Sequence, residues 1–307
     1  MDWILLTNDD GIEAESLQTM VDELSRRGYG VVVFGPSENN SAVSMKLSLG
    51  TPLSIKQIPD DREFVHQFSI GGTPCDCVIS ALDGGLEKLL PGVRPKLLVS
   101  GINLGPNLSQ DAYHSGTMAA AREAGMYGMP AIASSWSSFD PEGMEIALDA
   151  TMELVEAALK ILPDFPENIN RPHVDVSAEY VTSWPQPSQL KWKNDPISAL
   201  QKAFSNGEIF LNLNVPVDWN KKFQTTRLGM RWYRNAIQFG DDVSTFKLGA
   251  ARIDTDQVYK GDVDADLNKY ASVSCLPSWP HTHPLEIDRM LLAWCLENSN
   301  DGLPNWL

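Results

Sequence analysis

Trp3-Ile4-Leu5-Leu6-Thr7-Asn8-Asp9-Asp10-Gly11-Ile12 is the stretch whose reading decides the fold. Its apolar run, residues 3–6, reads as a fully buried first strand, and Gly11 marks the turn that ends it. Two adjacent carboxylates at such a strand end sit close together in a partly dry place. They repel, and one must take up a proton unless a cation relieves the conflict. Mg²⁺-class ions suit that task, being held by one or two carboxylates, waters and phosphate oxygens. Asn-Asp-Asp-Gly is equally good chemistry for a solvated turn. The segment alone leaves both readings open.

Outward from this strand, strand-like and helix-like segments alternate through residue 135. That alternation predicts an α/β fold, a doubly wound parallel sheet with crossover helices. Residues 15–27 carry Leu17, Met20, Val21 and Leu24 at helical spacing, and Gly28 stops the helix. Val31 to Phe34 reads as a second buried strand. Residues 47–58 look extended and are expected to pair with 64–70 in a smaller hairpin. Thr73 caps a helix over 75–90, with Pro74 at its first position. Strands follow at 96–100 and 130–135, with a helix at 118–127 between them and a long amphipathic helix at 142–162 after them. Periodicity weakens over 171–192. Beyond lie a strand at 209–216, short hairpins over 225–275, and a terminal helix at 285–296. One face of that helix carries Ile287, Met290, Leu291 and Trp294, which must dock somewhere, a second subunit being one choice.

Composition narrows the partners. The 307 residues are 43% hydrophobic and 21% charged, ordinary for a globular protein with a substantial core. A formal charge of −16, with 24 Lys and Arg against 40 Asp and Glu, argues against a nucleic-acid polymer as partner. A small phosphorylated substrate stays open, because a local metal ion inverts the sign of the field at a site. Cys75, Cys77, Cys275 and Cys295 have neither redox nor zinc spacing and read as free thiols in a reducing compartment. No basic leader precedes the first strand, and no apolar run approaches the ~20 residues that span a bilayer. A cytoplasmic protein with no membrane partner is expected.

Polar groups gather at the carboxyl ends of the parallel strands. The first ends in Asn8, Asp9 and Asp10; the second leads to Asn39 and Ser41; the third ends in Ser100 and Asn103. The loop after the third delivers His114, Ser115, Gly116 and Thr117 to a helix start. These ends share one edge of a doubly wound sheet, where ligands bind. Two carboxylates, a hydroxyl and an amide form an all-oxygen set suited to Mg²⁺, Mn²⁺ or Ca²⁺ rather than zinc. Ser115-Gly116-Thr117 offers N–H donors and a positive dipole end, a natural phosphate cradle. Each element also has a plainer use: Ser115 or Thr117 as a helix cap, Asn103 as a turn residue, His114 as a hydrogen-bonded structural histidine. His281-x-His283 lacks an acidic or Cys partner nearby and reads as structural. Trp184, Trp192, Trp219 and Trp232 read as core or interface packing, or as lining a substrate surface.

Taken together, these segments resemble the SurE family of survival-protein phosphatases and nucleotidases. The resemblance rests on Leu5-Leu6-Thr7-Asn8-Asp9-Asp10-Gly11, on Gly35-Pro36 to Ser41 with Leu47-Ser48-Leu49, and on Gly72-Thr73-Pro74-Cys75-Asp76-Cys77-Val78. It continues in Ser100-Gly101-Ile102-Asn103-Leu104-Gly105-Pro106-Asn107 and His114-Ser115-Gly116-Thr117-Met118, with weaker echoes at Leu213-Asn214-Val215-Pro216 and Asp254-Thr255-Asp256. It implies a Rossmann-like three-layer core over 1–215, carrying the metal site and a small hairpin near 47–70. Residues 216–307 would supply hairpins and a C-terminal helix for assembly into homodimers or homotetramers. The implied activity is divalent-metal-dependent hydrolysis of nucleoside 5′- and 3′-monophosphates, a 5′-nucleotidase or acid phosphatase. Metal ligands would fall on Asp9, Asp10, Ser41 and Asn103, and phosphate contacts on Ser115, Gly116 and Thr117. Asn8 and Asn39 join the expected substrate contacts, and Asp9, Asp10 or His114 the proton-moving groups. The chain departs from the family pattern at Ala42-Val43 and Met45. Met45 cannot donate to a phosphate, so a catalytically weak or silent nucleotide-binding or metal-binding protein is the alternative. A nicotinamide-type oxidoreductase is excluded, since Asn8-Asp9-Asp10-Gly11 is not a G-x-G-x-x-G turn.

Overall fold

The computed structural model describes residues 1–166, 169, 186–249 and 252–307. In chain order its first half runs β1 (Trp3–Thr7), α1 (Glu15–Arg26), β2 (Gly30–Pro36), β3 (Ile55–Ile58), β4 (Val65–Ile70), α2 (Pro74–Ser80), α3 (Leu86–Leu89), β5 (Pro95–Leu104) and α4 (Asp111–His114). It continues through α5 (Gly116–Met126), β6 (Ala131–Trp136), α6 (Glu145–Ile161), α7 (Pro196–Ser205) and β7 (Ile209–Val215). The remainder comprises β8 (Phe223–Thr226), β9 (Met230–Arg234), β10 (Ile237–Phe239), β11 (Phe246–Leu248), β12 (Arg252–Asp256), α8 (Asp262–Leu267), β13 (Ala271–Pro277) and α9 (Arg289–Asn298).

Among the described residues, nine strands form one sheet in the order β3-β4-β2-β1-β5-β6-β7-β13-β8. The six from β4 to β7 are mutually parallel. Their order reverses direction between β1 and β5, and an open α/β sheet holds ligand in the crevice beyond the strand ends at such a point. The expected α/β class, a Rossmann-like three-layer core, is therefore present. Alternate residues serve its two faces: Ile4, Leu6, Val31 and Val33 pack with Leu17, Met20 and Leu24 of α1, and with α6. Leu5, Val32, Phe34 and Leu98 pack on the other face against α2 and α5. Side chains that alternate across a strand, buried on both sides, explain why the strands read as continuous apolar runs.

Two expectations need correction and one is narrowed. The small hairpin near 47–70 forms as β3 antiparallel to β4, over Ile55–Ile58 alone on its first arm, and β4 also joins the main sheet beside β2. The helix expected over 75–90 breaks after α2, because Asp83 and Gly84 leave helical geometry, Gly84 with φ +96°. Asp-Gly-Gly supplies the permissive backbone for that break. The third strand runs past Ser100 to Leu104, with its register against β6 shifted between Ser100 and Asn103. Thr73 caps α2 with Pro74 at its first position, as its sequence predicts, and Asp76 closes a reciprocal capping box.

Residues beyond 215 belong in part to the main sheet, which β13 and β8 extend. The β9–β12 and β10–β11 pairs stand apart as two-stranded ribbons. Trp219 is buried, Trp192 half-buried and Trp232 exposed, while Trp184 lies outside the described residues. All four cysteines are free thiols. No helix among the described residues is long and apolar enough to cross a membrane.

Candidate active site

At the reversal point a cleft of about 220 Å³ opens, and Asp9, Ser41, Asn103, His114 and Ser115 all line it. Asp9 follows β1, Ser41 follows β2, Asn103 lies one residue before the end of β5, and His114 and Ser115 link α4 to α5. Five of the predicted residues, drawn from four chain segments, thus meet in one place. A larger cavity of 330 Å³ between β13 and α9 gathers no carboxylate.

Asp9 is 3% exposed. Its Oδ1 accepts the Thr117 hydroxyl at 2.6 Å, and its carbonyl accepts the Asn40 N–H at 2.6 Å. The start of α5 abuts it directly: a Cβ on Gly116 would fall 2.8 Å from Asp9 Cβ and 3.0 Å from Oδ2. Only glycine permits that approach. Burial pushes the Asp9 carboxyl up to about 6; the Thr117 hydroxyl pulls against this, and the Asp10 charge adds to it. Asp10 is half-buried, and burial raises its carboxyl too, against the nearby Leu104 N–H and the Asn39 amide. Asn39 donates from Nδ2 to Asp10 Oδ1 at 3.1 Å and accepts at Oδ1 from the Ser41 N–H and hydroxyl, at 2.9 and 2.7 Å. One amide thereby couples Asp10 to Ser41.

Asp10 Oδ2 is buried and makes no hydrogen bond. An orphaned buried carboxylate oxygen costs about 1–3 kcal/mol or more, which a cation would offset. Asn103 donates from Nδ2 to the Gly105 carbonyl at 2.7 Å, so its amide oxygen is the atom left to act as a ligand. Asp9, Ser41 and Asn103 line the cleft and Asp10 does not, its carboxylate being joined to that wall through Asn39; an all-oxygen set of this kind fits a hard divalent ion. Among the described residues no three His, Cys, Asp or Glu side chains gather as a metal cluster.

Four expected substrate contacts lie elsewhere than the cleft wall. Thr117 is fully buried against Asp9, and Gly116 is buried behind the same carboxylate. Ser115 caps α5, its Oγ accepting the Met118 N–H at 3.0 Å. The positive end of α5 therefore serves the protein's own Asp9, and Ser115 alone of that trio lines the cleft. Asn8 is fully buried with Nδ2 donating to the Gly11 carbonyl at 2.8 Å, so it shapes the turn. Asn39 acts through Asp10 and Ser41 as described. Met45 does not line the cleft; its sulfur rests 3.9 Å from Arg122 Nη1. His281 pairs with Glu286 and the His283 ring stacks on Trp279.

Sequence reasoning missed a second set of residues. Asn107 lines the cleft and is fixed from below: its N–H donates to Asn214 Oδ1 at 2.7 Å, and its carbonyl accepts from Asn212 Nδ2 at 3.0 Å. The signal was present, since Asn212 and Asn214 recur at period two in an otherwise apolar strand. Asp111 and Tyr233 also line the cleft, with the Tyr233 hydroxyl donating to Asp111 Oδ2 at 2.9 Å and Arg231 Nη1 3.4 Å from the same oxygen. Asp262, fully buried, accepts the N–H groups of Ser109 at 3.1 Å and Gly229 at 2.6 Å and so pins the loop after β5 to the turn before β9.

The profile of the family described as “Survival protein SurE” matches residues 4–235. The chain belongs to that family. A protein named 5′-nucleotidase SurE from Xylella fastidiosa (strain M12) is 32% identical over 277 residues, 88% of each chain. Another of that name, from Prochlorococcus marinus (strain AS9601), is 30% identical over 266 residues, 85% of this chain and 93% of its own. The crystal structure of a SurE protein from Aquifex aeolicus superposes with a TM-score of 0.61 at 24% identity, over 91% of this chain and 95% of that one. That likeness is one of fold. Family membership agrees with the resemblance carried by the Asn8-Asp9-Asp10-Gly11 and Ser100-Gly101-Ile102-Asn103 motifs.

Proposed function

We propose that this chain is a divalent-metal-dependent phosphomonoesterase that hydrolyses nucleoside 5′- and 3′-monophosphates to nucleoside and phosphate. The observation that carries the reading is the buried carboxylate pair at the sheet's reversal point, with Asp10 Oδ2 left without a hydrogen bond. The names of the SurE relatives support the substrate class. Asp9, Asp10, Ser41 and Asn103 would hold Mg²⁺ or Mn²⁺, with Ca²⁺ acceptable to the same oxygen set. Such an ion, when bound, supplies Lewis-acid polarisation of a phosphoryl oxygen and a more acidic water.

The chain's own groups do the rest. Thr117 holds Asp9 in one rotamer through its hydroxyl, and Asn39 holds Asp10 and Ser41 together. His114 and the Ser115 hydroxyl line the cleft where a phosphoryl group would enter. His114, exposed on the solvent side, is placed to move the proton between water and leaving group. Met45 stands outside the cleft, so it does not take the place of a phosphate donor in the cleft lining.

Phosphate release from a panel of nucleoside monophosphates with Mg²⁺, Mn²⁺ or chelator tests this. Release that chelator abolishes is expected, and Asp9→Asn and Asp10→Asn should each lower kcat/KM at least about a hundredfold. Full metal-dependent activity in both variants places the chemistry elsewhere.

The exposed ribbons are assigned to self-association, as a homodimer or homotetramer. Phe239, Phe246 and Leu248 of β10–β11 and Trp232 and Ile253 of β9–β12 are all exposed. An isolated two-stranded ribbon is marginal in water, and exposed apolar side chains on both ribbons suit an interface.

A further inference from the structure

The outer part of the cleft is aromatic, and the phosphate chemistry above makes no use of it. Phe139 and Tyr233 line it together with Asp9 and Ser115. Depth separates the two pairs, since Asp9 and Ser115 are buried while Phe139 is 81% exposed and Tyr233 half-buried. An ester whose phosphate reaches Asp9 must lead its other end outward past these rings.

Tyr233 is fixed through its hydroxyl, and Phe139 rests by one edge. A Cβ on Gly105 would lie 2.5 Å from Phe139 Cε1, so the ring edge rests on the backbone of the loop after β5. Tyr233 comes from β9, where Arg231 and Tyr233 are the half-buried positions and Met230, Trp232 and Arg234 the exposed ones. Its hydroxyl is fixed by Asp111, and burial with that neighbouring carboxylate pushes the phenol up to about 12, so it stays neutral. Single exposed aromatics are ordinary on a protein surface. One anchored at the lip of a phosphate-sized cleft, with a second aromatic in the same lining, is a platform for a planar ring.

We propose that Phe139, with Tyr233, stacks the base of a nucleoside monophosphate whose phosphate lies at Asp9, and so selects base-bearing esters over aliphatic phosphates. This rests on the phosphomonoesterase reading and adds the residues that set substrate class. Base stacking on an aromatic side chain is worth roughly five- to a hundredfold in affinity, and an exposed ring belongs at the low end.

The test compares adenosine 5′-monophosphate with glycerol 2-phosphate, which carries no ring, in wild type, Phe139→Ala and Phe139→Trp with Mn²⁺ present. Phe139→Ala should raise KM for the nucleotide about five- to tenfold with kcat nearly unchanged, leave glycerol 2-phosphate within about twofold, and be rescued by Phe139→Trp. An equal loss for both esters, or no change for either, overturns the proposal. Calorimetric binding of the same two compounds gives the same comparison without turnover. Wild type that releases phosphate from neither ester sinks the hydrolase reading. Binding decides the stacking question in that case also: wild type that holds the nucleotide no tighter than glycerol 2-phosphate overturns it.

Discussion

Glu123, on α5, is a buried acid like Asp9 but sits apart from the candidate metal ligands. Burial pushes its carboxyl up to about 7, and the neighbouring Asp76 charge adds to the shift. In the unfolded chain it titrates near the ordinary Glu value of ~4.3. Between those two values the folded state binds the extra proton, so stability from this group is full below about 4.3 and lost as pH rises through about 7. Glu123→Gln is always neutral and should therefore gain only about 1 kcal/mol at pH 5, where the unfolded carboxyl is already mostly ionised. At pH 8 it should be more stable than wild type by up to about 3 kcal/mol, a rise of several degrees in Tm. Thermal melts at both pH values check this, and an equal change at pH 5 and pH 8 contradicts it. Single residues of this kind were only partly legible. Asp9, Ser41, Asn103 and Ser115 declared themselves as polar groups at strand ends. Thr117 did not declare its partner, because the Asp9 contact spans 108 positions of sequence. Tyr233 was invisible for the same reason, lying 122 residues from Asp111.

Among the elements, β5 carries the most consequence for the site. Its register against β6 shifts between Ser100 and Asn103, and Gly101 lies inside the shift with φ +129°. A Cβ there would stand 2.3 Å from the Ser134 carbonyl oxygen, which belongs to the neighbouring strand. Neither the backbone conformation nor the space admits a side chain. Gly101→Ala should cost about 3 kcal/mol or more and also weaken Mn²⁺ binding, because Asn103 sits two residues on. Folded protein with unchanged metal affinity by calorimetry contradicts that coupling. The strands themselves were legible from their apolar runs, each bounded by Gly or Pro. Partners were not, since periodicity reports a face and not a neighbour. The segment 64–70 thus looked like half of a hairpin, although it also pairs with β2. The broken helix after Ser80 shows the opposite failure. The break falls at Asp83 and Gly84, inside a segment read as one continuous helix.

For the whole molecule, the main sheet leaves the β9–β12 and β10–β11 ribbons outside its own packing. β9 divides its duties: Arg231 and Tyr233 face inward to Asp111, while Met230 and Trp232 face outward and are exposed. Every residue of β10 and β11 is exposed, Phe239 and Phe246 touching edge to face at 6.2 Å. The proposed self-association covers that outer surface and would fix Tyr233 more firmly in the cleft. With a chain mass of 33.9 kDa, light scattering should give a multiple of that value. Replacing Trp232 and Phe239 together by Glu introduces like charges on a chain that already carries −16, and the mass should fall toward one chain. Neither residue lines the cleft, so the folded monomer keeps its metal ligands, and any drop in nucleotide affinity would report the loss of support for Tyr233. An unchanged mass in the double variant rules the ribbons out as the interface.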